Sequence, residues 1–226
     1  MFDFYGTLAR ATTWGPAFEE VFERRGLTLT PEAHDLWRAE VFDGQEHHEH
    51  SKTREHYLAW ELARLGRLAA AADAPGHDTD DLVGDLHRAS RAFELEAYPE
   101  VPGVLAELTS RHVKTAVCSN WGWDLEEALD QAGLGDQFEV AVTSAQVGTR
   151  KPHPSIFIET LARMGTEPPD ALFVGDTWYP DVEGARSVGL RAVHVWRADA
   201  PPGDGPPALV EGVERVADLS GILALL

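Results

Sequence analysis

The spacing of apolar residues changes once along the chain. Between Trp14 and about Phe93, apolar positions recur three and four residues apart, which is the period of amphipathic helices. No strand pattern interrupts this stretch, so the spacing predicts a helical subdomain over residues 13–96. The predicted helices run from Ala17 to Phe22, from Pro31 through Val41, from His56 to Leu68 and from Leu82 to Phe93, with a loop at Ala69–Asp81.

From Tyr98 onward, short β-branched, apolar runs alternate with helical patterns. The predicted strands are 112–118, 138–143, 171–174 and 191–196, and the helices are 102–108, 125–132, 154–164 and 182–188. A helix between successive strands is the connection that parallel strands need. The sequence therefore predicts an α/β fold, in which residues 1–12 and 97–226 form a three-layer α/β/α core with a parallel sheet and residues 13–96 are an insertion.

The first strand of this core is unusually short. Only Met1 and Phe2 precede Asp3, whereas strands usually have about five or six residues. Either this strand is short or the protein begins upstream of Met1. After Asp3 the chain turns sharply, because Gly6 can adopt backbone angles closed to other residues and the Thr7 hydroxyl can tether the turn.

Charge narrows the choice of partners. The chain has 38 Asp and Glu residues against 19 Lys and Arg residues, a formal net charge of −19. We therefore expect binding to neither nucleic acid nor membranes, whose phosphates require basic residues. An anionic substrate would need a local cation. No apolar run approaches the length of a membrane span, no signal peptide is apparent, and the single cysteine, Cys118, has apolar neighbours typical of a buried thiol. We expect a cytoplasmic protein, a monomer or a homodimer.

Polar side chains follow four of the predicted strands. They are Asp3 and Tyr5, then Ser119 and Asn120, then Lys151 on a loop, and finally Asp176 and Asp181. Taken singly, these residues are typical of turns, helix caps and solvated surfaces. Because the carboxyl ends of parallel strands share one edge of the sheet, the four groups together predict a single cleft.

The residue types in this cleft suit the chemistry of phosphate. Asp3 and Asp176 are expected to flank Mg²⁺, which prefers oxygen ligands, with Asp181 holding the ion or its waters from farther away. Lys151 and the Ser119 hydroxyl would bind an anion. A carboxylate beside a cation and an anion site predicts attack by Asp3 on phosphorus, followed by hydrolysis of the resulting aspartyl-phosphate.

These residues resemble the four motifs of the haloacid dehalogenase-like (HAD) hydrolase superfamily. The matching segments, in order, are Asp3-Phe-Tyr-Gly-Thr-Leu, Ser119-Asn120, Lys151-Pro-His-Pro-Ser-Ile-Phe157 and Gly175-Asp176-Thr-Trp-Tyr-Pro-Asp181-Val-Glu-Gly-Ala185. The resemblance implies a Rossmann-like core. It also implies that the inserted helices are a type 1 cap, which closes over the site and supplies specificity.

The resemblance further implies a role for each matching residue. Asp3 is the nucleophile, Tyr5 and Lys151 are expected to be catalytic residues beside it, and a small phosphorylated metabolite is the substrate. The residues expected to bind this substrate are Thr7, Ser119, Asn120 and Lys151, and those expected to hold Mg²⁺ are Asp3, the backbone carbonyl of Tyr5, Asp176 and Asp181.

The main departure from the family pattern is Tyr5. Family phosphatases usually have a second Asp there, which acts as general acid and then as general base, whereas a phenol has an ordinary pKa near 10 and is a poor base at neutral pH. Metal-free 2-haloacid dehalogenases share Asp-x-Tyr-Gly-Thr, but they lose the Gly-Asp of the fourth motif, which this chain keeps at Gly175-Asp176. We therefore expect a Mg²⁺-dependent phosphatase. The alternatives are a 2-haloacid dehalogenase and a weakly active or inactive HAD-fold binding protein.

Two further clusters have open interpretations. The basic run of the insertion either meets an anionic substrate or forms a solvated loop; it comprises His47, His48, His50, Lys52 and Arg54. Trp121 and Trp123 either stack on a ring of the substrate or pack near the hinge of the insertion.

Overall fold

The computed structural model describes residues 1–42, 52–71, 78–198 and 205–226. The described chain divides into two compact units, one formed by Met1–Arg10 with Leu95–Leu226 and the other by Ala11–Glu94. We call them the core unit and the helical unit. The predicted basic run falls partly outside the described residues, since His47, His48 and His50 are not among them.

The helical unit contains four helices in its described part, as the apolar spacing predicts. They are α1 (Phe18–Glu23), α2 (Pro31–Phe42), α3 (Arg54–Ala70) and α4 (Thr79–Ser90). Apolar side chains of all four helices form one buried cluster, including Phe22, Ala33, Leu65 and Leu86. Both ends of helix α4 lie three residues earlier in the chain than predicted. The helix starts early because the Asp78 side chain accepts hydrogen bonds from the amides of Asp80 and Asp81 and so caps its N-terminus.

The prediction that no strand interrupts residues 13–96 is wrong at both ends of that range. Strands β1 (Ala9–Trp14) and β2 (Phe93–Ala97) pair with each other. β1 is largely exposed beyond Ala9 and has no apolar alternation to reveal it. In β2 the apolar residues do alternate with Glu94 and Glu96, a period of two that marks a strand and was masked by the adjoining helical pattern.

The core unit contains the predicted alternation of strands and helices. In chain order its elements are α5 (Val101–Ser110), β3 (Ala116–Ser119), α6 (Leu125–Gln131), β4 (Val140–Thr143), α7 (Ser144–Val147), α8 (Pro154–Met164), β5 (Leu172–Gly175), α9 (Gly184–Ser187), β6 (Arg191–Val195) and β7 (Val213–Val216). Strands β3 and β4 pair in parallel, and so do β5, β6 and β7 in that order. The prediction of an α/β, Rossmann-like fold is confirmed.

Residues 1–3 lie between these two groups of strands. The Phe2 amide donates to the Ala116 carbonyl at 2.8 Å, and the Asp3 amide donates to the Val174 carbonyl at 2.9 Å. Phe2 thereby forms a parallel bridge to both β3 and β5. The short first segment is therefore central in the sheet, and it ends at Asp3 beside the carboxyl ends of both neighbours.

The chain after β5 differs from the helix predicted over 182–188. Trp178–Glu183 forms a π-helix, and a regular helix is limited to α9. π-Helical turns are frequent at functional sites. Here the turn contains Asp181, whose amide donates to the Thr177 carbonyl at 3.0 Å. Among the described helices, none is both long enough and apolar enough to cross a bilayer.

Candidate active site

Three segments far apart in sequence meet at Asp3. The Ser119 hydroxyl, at the end of β3, donates to Oδ1 of Asp3 at 2.9 Å. The Lys151 ammonium donates to the same oxygen at 2.6 Å and to Oδ1 of Asp181 at 2.6 Å. All of these side chains are buried, and Lys151 is only 4% exposed. The predicted convergence at the carboxyl edge of the sheet is present.

Lys151 is held in its charged form. Burial disfavours the ammonium, but the carboxylates of Asp181 and Asp3 outweigh this effect and raise its pKa above the ordinary value. Its position is fixed by Asn120, whose side-chain amide donates to the Lys151 carbonyl at 3.1 Å and accepts from the Lys151 amide at 2.7 Å. Asn120 therefore orients Lys151. Contact between Asn120 and a substrate stays a prediction.

Thr7 likewise contacts another site residue. Its hydroxyl donates to Oδ1 of Asp176 at 3.2 Å, and its side chain is fully buried. The turn passes very close to Asp176, because a Cβ atom on Gly6 would lie 2.3 Å from Oδ2 of that carboxylate. Gly6 also has a φ of +87°, so both space and backbone favour glycine there. Thr7 thus orients Asp176, and its binding of substrate stays a prediction.

Asp3, Asp176 and Asp181 form a tight acidic cluster. One carboxylate oxygen from each lies within 4.8 Å of the others. Burial, followed by repulsion from Asp3 and Asp181, raises the pKa of Asp176 to about 7. Burial also raises the pKa of Asp181 to about 6, although the Lys151 ammonium acts in the opposite direction.

This cluster fits a hard divalent cation. Three carboxylates share one ammonium, so the charge balance of the cluster is negative when all are ionised, and Mg²⁺ prefers oxygen ligands of this kind. The raised pKa of Asp176 reflects burial first and then repulsion within this cluster. The residues that would hold the ion are Asp3, Asp176 and Asp181. A contribution of the Tyr5 carbonyl stays a prediction.

Tyr5 lies at the surface beside this buried cluster. Its side chain is 36% exposed, and its ring stacks on Trp121 with a centroid distance of 6.4 Å and an interplanar angle of 28°. Trp121 also contacts the Phe4 ring edge-on at 5.2 Å. Trp121 therefore packs on residues of the turn after Asp3, and both packing near the hinge of the insertion and stacking on a substrate ring stay predictions.

Sequence reasoning missed two side chains that contact the site loops. Arg197 donates from Nε to the Gly6 carbonyl at 3.1 Å and from Nη2 to the Thr7 carbonyl at 2.6 Å. His194 in β6 contacts the Asp176 carbonyl at 3.0 Å through Nε2. Their place in the sequence could have revealed both residues. His194 lies near the carboxyl end of β6 and Arg197 follows that strand, on the same edge of the sheet as Asp3.

The tautomer of His194 follows from its other neighbour. Arg215 can only donate, and its Nε contacts Nδ1 of His194 at 2.9 Å, so Nδ1 accepts. Nε2 then carries the hydrogen and donates to the Asp176 carbonyl. Burial lowers the pKa of His194, which favours this neutral form.

Comparison with known proteins bears on this geometry. A family model described as haloacid dehalogenase-like hydrolase matches residues 1–189. A phosphoserine phosphatase of Thermus thermophilus is 38% identical over 135 residues, which cover 59% of this chain and 53% of that protein. An (S)-2-haloacid dehalogenase of Xanthobacter autotrophicus is 30% identical over 210 residues, covering 87% of this chain and 74% of that protein.

The solved structures agree on the fold. A HAD phosphatase from Thermococcus onnurineus superposes with a TM-score of 0.62 at 21% identity, covering 99% of this chain and 95% of that chain. The chain spans about half the length of several curated relatives that it matches, including the Thermus enzyme. The match over residues 1–189 shows that this chain belongs to the haloacid dehalogenase-like hydrolase family.

Proposed function

We propose that the protein is a Mg²⁺-dependent phosphatase that hydrolyses a small phosphorylated metabolite through a phosphorylated Asp3. The observation that carries the proposal is the arrangement of Asp3, held by Ser119 and Lys151 within a cluster of three carboxylates. Residues 13–96 are assigned in this proposal as a type 1 cap that selects the substrate, in a cytoplasmic enzyme.

Each side chain has a defined task in the reaction. Asp3 attacks phosphorus, so an O–P bond to the carboxylate forms while the bond to the leaving group breaks and its electron pair departs with that group. Lys151 and the Ser119 hydroxyl bind the phosphoryl oxygens by a charged and a neutral hydrogen bond. Water then attacks phosphorus, which releases inorganic phosphate and restores Asp3. When bound, Mg²⁺ supplies positive charge that stabilises the charge developing on the phosphoryl group.

Lys151 also holds Asp3 in place before substrate arrives. Its ammonium contacts Oδ1 of Asp3 at 2.6 Å. Its second contact, to Asp181, fixes the ammonium between the nucleophile and the rest of the acidic cluster. An incoming phosphate would therefore meet a positive charge at the one carboxylate that must approach it.

The test is phosphate release from p-nitrophenyl phosphate. We expect activity with Mg²⁺, loss of activity in EDTA, and loss in Asp3→Asn, which keeps the shape of the side chain but removes the nucleophile. Asp136→Asn, a change of an exposed aspartate in the core unit, is the matched control and is expected to keep wild-type activity. Phosphate release by Asp3→Asn at the wild-type rate would rule out the proposed nucleophile.

A 2-haloacid dehalogenase is the second candidate. Tyr5 and the Xanthobacter relative support it, since halide needs no proton to depart. Asp176 argues against it, because a metal-free reaction has no use for a third, half-buried carboxylate whose pKa is raised by burial and by the neighbouring carboxylates. Release of chloride from 2-chloropropionate in EDTA would favour this candidate. Neither activity, together with a stable complex with another protein, would favour a binding protein.

A further inference from the structure

Arg197 is a buried cation outside the acidic cluster. It follows β6 and is 8% exposed. Its guanidinium pairs with Oε1 of Glu100 at 2.8 Å and lies over the Tyr98 ring at 3.5 Å from the centroid. The ion pair and the ring together fix the plane of the guanidinium, because the charge is balanced on one edge and the face is covered.

The remaining donors of Arg197 point at the turn after Asp3. Nε and Nη2 donate to the successive carbonyls of Gly6 and Thr7 at 3.1 and 2.6 Å. A rigid fork of donors on two neighbouring carbonyls specifies the orientation of both peptide planes. The amide of Tyr98 adds a third contact by donating to the Leu8 carbonyl at 3.0 Å.

The same turn touches the acidic cluster. The Thr7 hydroxyl donates to Oδ1 of Asp176 at 3.2 Å, and the Gly6 Cα lies against the other oxygen of that carboxylate. The orientation of Asp176 therefore depends on where residues 6 and 7 lie, and their position depends on Arg197. A buried ion pair such as Arg197–Glu100 is weak evidence for stability alone, whereas it is well suited to select one conformation.

We infer that Arg197 is a positioning residue for the metal site, acting through Thr7 on Asp176. Within the described residues its polar contacts are to the Gly6 and Thr7 carbonyls and to Glu100, not to the three carboxylates of the acidic cluster, and it sets the geometry that lets Asp176 bind the cation. This inference rests on the proposed function, since it concerns the Mg²⁺ that the phosphatase would use.

The experiment is calorimetric titration of the substrate-free protein with MgCl₂. Arg197→Lys keeps the positive charge beside Glu100 but cannot donate in a fork, and we expect its Mg²⁺ dissociation constant to rise about 10–100-fold, the usual cost of losing an outer partner of a ligand. Arg163→Lys is the matched control, because Arg163 forms an exposed pair with Glu159 on α8, and its Mg²⁺ affinity is expected to equal that of the wild type.

A second variant tests the route through Thr7. Thr7→Val removes the hydroxyl with little change of shape and leaves Arg197 intact, so we expect it to weaken Mg²⁺ binding too, whereas Thr7→Ser restores the hydroxyl and the affinity. Because both changes act on one chain of contacts, combining Arg197→Lys with Thr7→Val is expected to weaken binding less than the product of the two single effects. The two Thr7 variants still test the route to Asp176 if Arg197→Lys folds poorly.

The outcomes separate the inference from the proposed function. Wild-type Mg²⁺ affinity in a folded Arg197→Lys protein, or fully multiplicative effects in the double variant, would overturn the positioning role while leaving the phosphatase intact. Absence of Mg²⁺ binding to the wild type, even with phosphate present, would overturn the proposed cofactor and this inference with it. Weakened binding in both single variants, with coupling between them, supports the inference.

Discussion

The two units of the chain use charge in opposite ways. In the described part of the helical unit, the ion pairs Arg24–Glu20 and Arg25–Asp85 lie at the surface and link residues around a core of apolar side chains. In the core unit, Lys151 is 2% exposed in its side chain and bonds two buried carboxylates. Surface pairs contribute little to stability, whereas buried charges are costly and remain only where their geometry is satisfied.

This difference separates structure from function within one chain. The helical unit folds because apolar residues recur with a helical period, and its surface ion pairs could be exchanged at small cost. The core unit also buries a group of paired charges where the first strand ends, so the cost of burying them falls on the residues that would perform the reaction.

The largest expected effect follows removal of the buried ammonium. Lys151→Met leaves Asp3 and Asp181 without their common partner, and we expect phosphate release to be lost. We also expect the free energy of unfolding to fall by about 3–5 kcal/mol at neutral pH in EDTA, the usual cost of leaving buried charges unpaired. Urea unfolding followed by tryptophan fluorescence measures this change. A loss below about 1 kcal/mol would place Lys151 in the same class as the surface pairs.

The next effect concerns Tyr5. Tyr5→Asp puts a carboxyl group at a position that is 36% exposed, so the new charge escapes most of the cost of burial. If this position serves the leaving group, as the family resemblance implies, the rate on alkyl phosphates should rise by about 10²–10⁴-fold, the usual contribution of a general acid or base. Steady-state rates on glycerol phosphate test this. Tyr5→Asn is the matched control without a titratable group, and an equal gain in that variant would contradict the prediction.

The third prediction is a dependence on pH without metal. The folded-state pKa of Asp176 is raised from 3.8 to about 7, so between these values the native state binds more protons than the unfolded state. The contribution of Asp176 to the free energy of unfolding is therefore fully present below its pKa in the unfolded state, and it is lost as pH rises through its pKa in the folded state. In EDTA, as pH rises over this interval, we expect the free energy of unfolding of the wild type to fall by at least about 1 kcal/mol more than that of Asp176→Asn. Parallel plots of the free energy of unfolding against pH for the two proteins would contradict a raised pKa of Asp176.

The smallest expected effect is at the surface of the helical unit. Arg24→Met breaks the exposed pair with Glu20, whose two side chains are 63% and 51% exposed. We expect the free energy of unfolding to change by less than about 1 kcal/mol. Chemical denaturation compares this variant with Lys151→Met under identical conditions. A loss as large as that of Lys151→Met would remove the contrast between the two units.

The sequence predicted the acidic cluster for a simple physical reason. The ends of parallel strands share one edge, so Asp3, Ser119 and Asp176 could be placed together without knowing any side-chain contact. Lys151 was placed there less directly, because it lies on a loop several residues after its strand. The helices of the insertion were predictable because an apolar stripe at period 3.6 reports burial directly.

The remaining features depend on contacts that no local pattern encodes. The hydroxyl of Thr7 and the amide of Asn120 looked available for substrate, yet tertiary structure engages them with Asp176 and the Lys151 backbone. No local pattern marks Arg197, and only folding brings it to the Gly6 carbonyl. Strand β1 was missed because an exposed strand leaves no apolar alternation to read.

The central claim is that Asp3 becomes phosphorylated in a site built from buried charges. It is tested most directly by acid-quenching the protein during turnover of p-nitrophenyl phosphate with Mg²⁺ and examining the peptide that contains Asp3 by mass spectrometry. Because Tyr5 is a poor base for the second step, the phosphorylated form should accumulate, and the account predicts one phosphoryl group on Asp3 that is absent in EDTA and in Asp3→Asn. Phosphate release with an unmodified Asp3 at every quench time would contradict it.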